Sequence, residues 1–163
     1  TGLQVVIVRP VLVYGPGVKA NFESMMAWLR RPVPLPFGAL FNRRSLVALD
    51  NLVDFLATVA RHPRAANRVF LISDGYDLSL RELMLLLREK LGGRALLLPV
   101  SMELLRHAGL LLGQKAYVER LCSSLQVDIS SAIQELAWHP VVSPEEALAQ
   151  LAGSMAETSG AKQ

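Results

Sequence analysis

The residues of this chain best suited to chemistry are those that can hold an anion. Arg43-Arg44 stands immediately before the apolar stretch Ser45 to Leu49, and arginine's planar fork matches two phosphate oxygens at once. Paired arginines are also ordinary solvated surface. Asn21-Phe22 opens a helix-forming segment, where free backbone N–H groups and the helix dipole favour a negative charge. Asn21 serves equally well as a plain N-cap, and the two roles are compatible. The stretch Arg9-Pro10-Val11-Leu12-Val13-Tyr14-Gly15-Pro16-Gly17 follows the first apolar run, Val5 to Val8. In parallel α/β sheets ligands gather where strands end at their carboxyl side, and Gly15 and Gly17 allow close backbone approach. An ordinary Gly-Pro turn would read the same way. Leu35-Pro36-Phe37-Gly38 offers backbone groups and one ring to a planar base, or is simply a hydrophobic loop anchor.

Other chemistries have little support. His62, His107 and His139 lack metal-ligand spacing. The single cysteine, Cys122, rules out an internal disulfide and reads as a buried structural thiol. There is no P-loop, and no G-x-G-x-x-G or G-x-x-G-x-x-G follows a strand, so the pyrophosphate cradle of a dinucleotide fold is not in this sequence. Tyr14, Tyr76 and Tyr117 each lack a Lys four residues later.

The elements that must position these residues read as one α/β pattern. Val5 to Val8 suits a strand buried on both faces. A helix covers Asn21 to Arg31, and Pro32, Pro34 and Pro36 enforce an extended connection. Ser45 to Leu49 is a strand, and Asp50 or Asn51 caps a helix to about Arg61. Val69 to Ile72 is a second buried strand. Ser79 with Glu82 makes a capping box for a helix to Lys90. Ala95 to Leu98 is a strand, followed by helices at Ser101–Leu112 and Gln114–Ser123. A short strand over Gln126–Asp128 precedes a helix over Ser130–Leu136. The last helix starts at Ser143-Pro144. The expected organisation is a single α/β substrate-binding domain over 1–152 and a flexible C-terminal tail over 153–163.

Composition agrees with a packed domain: of 163 residues, 52% are hydrophobic and 19% charged. Seventeen Lys and Arg against 14 Asp and Glu give a mild net charge of +3, too scattered for a nucleic-acid face. No stretch reaches the ~20 apolar residues of a membrane span. The most apolar one, Ala95 to Gly113, is interrupted by charges and reads as amphipathic helix. No signal-peptide pattern is present, and the cysteine usage suits a cytoplasmic setting. The absence of an initiator Met suggests a piece of something longer.

Taken in order, R-P-x-x-V-Y-G-P-G, N-F at a helix start, P-L-P-F-G, N-R-R-S-L-V-A-L-D-N-L-V-D and V-D-I-S-S-A-I-Q-E-L-A-W-H-P-V-V-S-P-E-E-A-L resemble the extended short-chain dehydrogenase/reductase family. The likeness is greatest to its nucleoside-diphosphate-sugar epimerases, dehydratases and 4-ketoreductases, and runs from Thr1 to about Ala152. The implied fold is the C-terminal, substrate-binding portion of a Rossmann-type α/β protein: its last parallel strands plus a small mixed α/β lobe. The resemblance also implies residue roles. Pro10, Val13 and Tyr14 would lie beside the nicotinamide of NAD or NADP. Asn21 and Phe22 would meet the sugar-nucleotide pyrophosphate, Leu35 and Phe37 would flank the base, and Arg44 would grip the phosphates with Arg120 as a second candidate. The glycine-rich loop and the Tyr-x-x-x-Lys pair of that family would precede Thr1. The chain is therefore expected to bind a nucleoside-diphosphate sugar, a UDP-sugar above all, to hold no cofactor by itself, and to be inactive in isomerase or oxidoreductase chemistry. A freestanding, non-catalytic sugar-nucleotide-binding or interaction module is the alternative. Loss of neighbours beside Val5 to Val8 leads to an expectation of self-association.

Overall fold

The computed structural model describes residues 2–17 and 21–160, with the side chains of 21 and 155–160 outside the description. The chain divides into two compact units. The first comprises residues 1–18, 45–77 and 126–163; the second comprises 19–44 and 78–125.

In the first unit, strand β1 (Ile7–Pro10) pairs in parallel with the later strand Val69–Ile72, in the register Ile7 to Val69 and Pro10 to Ile72. The chain breaks at Val11, whose N–H donates to the Ile72 carbonyl, and resumes as β2 (Leu12–Tyr14). β2 pairs in parallel with residues 46–48, Tyr14 opposite Ala48. Between the two pairings runs a helix over Leu49–Arg61, followed by a 3-10 turn over Pro63–Ala65. The core forms where apolar residues of these strands meet that helix and the one over Ser130–Leu136: Val47, Phe55, Phe70, Ile72, Ala132, Leu136 and Trp138 are all buried together. Phe55 makes edge contacts with Phe70 and Trp138, with ring centroids 5.7 and 4.9 Å apart, the arrangement that ring quadrupoles favour. A final helix, Pro144–Gly160, buries Ala147, Leu148, Leu151 and Ala152 on one face. Its backbone remains helical past Gly153.

In the second unit, α1 (Asn21–Arg30) buries Phe22, Met26 and Leu29, a stripe at helical spacing. After it come β3 (Pro34–Leu35) and β4 (Arg43–Ala48), whose first two residues belong to this unit. The first unit's helix Leu49–Arg61 is α2, and its strand Val69–Ile72 is β5. Strand β6 (Asp77–Ser79) leads into α3 (Leu80–Lys90), which packs on α1 and buries Leu83, Met84 and Leu87. The capping box is in place: Ser79 Oγ accepts from Glu82 N at 3.1 Å and Glu82 Oε2 accepts from Ser79 N at 2.7 Å. β7 (Leu96–Leu97) pairs in parallel with β3, and α4 (Met102–Leu111) and α5 (Lys115–Cys122) form a helical hairpin. The helices Ser130–Leu136 and Pro144–Gly160 of the first unit are α6 and α7.

Three expectations need correction. Val5 to Val8 is not enclosed on both faces: Val6 and Val8 pack against the core, whereas Val5 and Ile7, alternating to the other face, are exposed. α2 begins at Leu49 behind Ala48 with no side-chain cap. Asn51 is instead drawn into the interior, where its amide serves other backbone groups. Gln126–Asp128 forms no strand. Side chains hold it: Val127 N donates to Ser45 Oγ at 3.0 Å, and Gln126 Nε2 to Asp77 Oδ2 at 2.6 Å.

Candidate functional site

The segment Pro10 to Gly17 sits at the carboxyl ends of β1 and β2. Pro10 is exposed, Val13 packs on the core, and Tyr14 is wholly enclosed. The Tyr14 hydroxyl donates to Asp74 Oδ2 at 2.7 Å. The other oxygen, Asp74 Oδ1, accepts from Ala48 N at 2.8 Å and Asn51 Nδ2 at 2.7 Å. Asn51 Oδ1 in turn accepts from Val141 N and Val142 N at 2.8 and 2.9 Å. One buried carboxylate thus ties the end of β2, the start of α2 and the loop before α7 to one another. Burial, then the charge of Asp74, push the Tyr14 phenol far above its ordinary range. Burial also raises Asp74, against the lowering effect of its three donors. Tyr14 therefore presents no free acid or base, and can influence a ligand only through the backbone it anchors. The turn that follows requires glycine. Gly15 has φ +151°, and a Cβ there would lie 2.8 Å from the Leu49 Cβ.

In the second unit, Asn21 opens α1, but its side chain lies outside the described residues. Phe22 and Leu35 are buried in the fold, which leaves their backbone as the means of meeting a ligand. Phe37 is half-buried and lines a cavity of about 280 Å³, whose wall also includes Leu40, Leu105, Tyr117, Leu121 and Cys122. Arg44 donates from Nε to the Ser123 carbonyl and from Nη2 to Ser123 Oγ, both at 3.1 Å. Ser123 Oγ donates to the carbonyl of Arg120 at 3.0 Å, so the structure joins the Arg44 side chain to the last turn of α5, where Arg120 is exposed. Burial lowers the Arg44 pKa from its ordinary value.

The sequence reading missed the groups that hold these arginines. Asn42 donates both amide hydrogens, to Leu121 O at 2.9 Å and Ser123 O at 3.0 Å, and Arg43 N donates to Ser124 Oγ at 3.2 Å. The partners lie about eighty residues apart, so no local pattern could reveal them; Asn42 beside the arginine pair and Ser123-Ser124 at a helix end were the only visible signs. Among the described residues no group of three His, Cys, Asp or Glu could hold a metal ion, and no helix is long and apolar enough to cross a membrane.

Parallel strands with interposed helices, and a small lobe carrying an arginine and an aromatic loop, define an α/β chain with the fold of the C-terminal portion of extended short-chain dehydrogenases/reductases. Within that class the chain resembles the nucleoside-diphosphate-sugar epimerases. It is 45% identical over 153 residues to UDP-glucose 4-epimerase of Vibrio cholerae, a match covering 93% of this chain and 47% of that protein. A solved UDP-glucose 4-epimerase of Thermotoga maritima, determined with UDP-glucose, superposes with a TM-score of 0.67 at 25% identity, covering 96% of this chain and 47% of that one. The UDP-glucuronic acid 4-epimerase of Bacillus cereus, in complex with UDP-glucuronic acid and NAD, has the same fold at 17% identity and a TM-score of 0.67, over 94% of this chain and 45% of that one. No family model matches the chain. The chain spans about half the length of the relatives it matches.

Proposed function

We propose that this chain is the C-terminal, nucleotide-sugar-binding portion of an NAD(P)-dependent epimerase, dehydratase or reductase acting on a nucleoside-diphosphate sugar, a UDP-sugar foremost, and that it does not turn over alone. The observation that carries this reading is the 45% identity to a UDP-glucose 4-epimerase along nearly the whole chain. Phe37 and its cavity wall supply an apolar seat for the base. Arg44, its fork steadied by Ser123, and Arg120 supply positive charge for the diphosphate. The backbone at Asn21-Phe22 adds N–H donors at the start of α1.

The residues present fit only the nicotinamide end of the cofactor. Pro10 is exposed and the Gly15–Gly17 backbone can approach a ring closely, whereas Val13 and Tyr14 support that backbone from beneath. When bound in the longer protein, NAD(P) would supply hydride acceptance and return. This chain's residues would orient the sugar nucleotide, and the proton transfer belongs to a Tyr–Lys pair outside this sequence.

Calorimetry with UDP and UDP-glucose tests the binding half of the reading. Saturable binding weakened about tenfold or more by Arg44→Ala is expected; absence of binding by the folded chain would remove it. The catalytic half is tested by incubating the pure chain with UDP-glucose and NAD. Measurable epimerisation would overturn that part and leave the binding part standing.

A further inference from the structure

Arg44 is half-buried and has no carboxylate partner among the described residues; the acceptors it meets are neutral. A guanidinium taken partly out of water without a counter-charge is costly, which marks the place of an anion. Its fork has two edges that can grip a pair of oxygens, Nε with Nη2 and Nη1 with Nη2. In Arg44 the first edge is taken, Nε by the Ser123 carbonyl and Nη2 by Ser123 Oγ, both at 3.1 Å. Both Nη1 hydrogens and the second one on Nη2 remain, and among the described residues Nη1 has no acceptor.

The hold on that first edge is itself built. Ser123 Oγ donates its own hydrogen to the Arg120 carbonyl at 3.0 Å, which leaves its lone pairs for Nη2. The Ser123 carbonyl also accepts from Asn42 Nδ2 at 3.0 Å, and Leu121 O accepts from the same amide at 2.9 Å. Carbonyls at a helix end have no partner within the helix. Asn42 is 6% exposed and its Oδ1 has no hydrogen-bond partner. A buried acceptor left unpaired detracts from stability, so the value of Asn42 lies in its two donors. The backbone adds a rung: Leu125 N donates to Arg43 O at 3.0 Å, and Arg44 bridges Leu125 in parallel. The last turn of α5 also places Leu121 and Cys122 in the wall of the Phe37 cavity. One short segment thus fixes both the base wall and the arginine edge.

We propose that Ser123, held by Asn42, is a positioning residue that keeps the Nη1–Nη2 edge of Arg44 set for the diphosphate of the ligand. It acts through Arg44 and touches no ligand atom itself. With the guanidinium already ordered, binding does not have to freeze it. The proposal rests on the nucleotide-sugar reading above.

The test is calorimetric titration of the 163-residue chain with UDP. Ser123 is exposed, so its variants should fold. Ser123→Ala should weaken UDP binding about fivefold, whereas Ser123→Thr, which retains the hydroxyl, should stay within about twofold of the native chain. Asn42→Ala should weaken binding to a similar degree; Asn42 is buried, so the Ser123 series decides if that variant does not fold. Arg44→Lys keeps the charge but has no fork to hold, so adding Ser123→Ala to it should change nothing further. A purely structural serine would weaken binding equally in both backgrounds. Native affinity in Ser123→Ala, or the same loss on the Arg44→Lys background, overturns the proposal and leaves the nucleotide-sugar reading intact. No UDP binding by the native folded chain removes both.

Discussion

Asp74 accepts three hydrogen bonds in the interior of the first unit, and its protonation state follows from what each donor tolerates. Ionised, it satisfies Tyr14, Asn51 and Ala48, at the expense of a desolvated charge. Protonated, it can give its hydrogen to the Tyr14 oxygen while Oδ1 still accepts from the other two. Burial raises its pKa, so the folded chain binds this proton more tightly than the unfolded chain. Stability from this group therefore falls as pH rises from about 4, the unfolded carboxyl value, through the raised folded one. Asp74→Asn keeps the Oδ1 acceptor for Ala48 and Asn51 without the charge and reverses the Tyr14 bond, its amide hydrogen donating to the Tyr14 oxygen. Urea midpoints should show this variant at least as stable as the native chain at neutral pH, with the difference shrinking as pH is lowered. Asp74→Ala removes the acceptor that Tyr14, Asn51 and Ala48 share and should cost about 3 kcal/mol. If both variants lose stability equally at every pH, the carboxylate is required as a charge. Neither Asp74 nor Asn51 stood out in the sequence. Each looks like a turn or cap residue locally, and only the meeting of β2, α2 and the loop before α7 gives them this role. The Arg43-Arg44 pair could be singled out beside a strand, whereas Ser123, which accepts from Arg44, could not.

The elements whose ends carry their own chemistry were readable from sequence. Ser79 with Glu82 caps as expected, with Glu82 N on Ser79 Oγ at 3.1 Å, and the last helix starts at Ser143-Pro144 as expected, with Glu146 N on Ser143 Oγ at 3.3 Å. Ser101, placed inside its helix by the sequence pattern, proves to be the N-cap of α4, accepting from Leu104 N at 3.3 Å. α2 misled because Ala48 precedes it directly from a strand, and the polar residues nearby have tertiary partners. Local preference yields to packing at such places. Two element-scale predictions follow from backbone geometry. Ala137 closes α6 with φ +51°, a left-handed conformation that an L side chain resists. Ala137→Gly should raise the unfolding free energy by up to about 1 kcal/mol, measured by denaturant titration. A loss would mean that the methyl group packs usefully beside Trp138, whose Nε1 donates to Asp54 Oδ2 at 2.7 Å. Gly109→Ala forces a methyl against Val118 and should separate α4 from α5 at a cost of about 1–3 kcal/mol. Faster amide exchange should then appear in the hairpin and not in α2 or α6. Uniform exchange throughout the chain would show that the hairpin unfolds only with everything else.

At the scale of the whole molecule, the first unit has an apolar sheet face that none of its described residues covers. Along β5 the side chains alternate: Phe70 and Ile72 point into the core, whereas Val69 and Leu71 stay exposed. Ile7 is exposed beside Val69, its direct partner in the register, at 45% and 49%. Val5 and Leu3 continue the patch, and β1 has a bare edge among the described residues. The run Val5 to Val8 announced a strand made for burial on both faces, but sequence could not reveal that one face lacks a cover among the described residues. An apolar face beside an open edge favours pairing with another copy. Sedimentation velocity over a range of concentrations should therefore show reversible self-association of the 163-residue chain. Ile7→Lys with Leu71→Lys places charge on that face without touching Phe70 or Ile72, and should shift the equilibrium to monomer with little change in unfolding midpoint. On the proposed reading, a longer protein that carries the remaining half would cover the same face, and its association should be insensitive to these two substitutions or its folding impaired by them. A chain that stays monomeric at high concentration would mean that residues 2–10 rearrange to shield the face, which amide protection along β1 beyond that given by β5 would reveal.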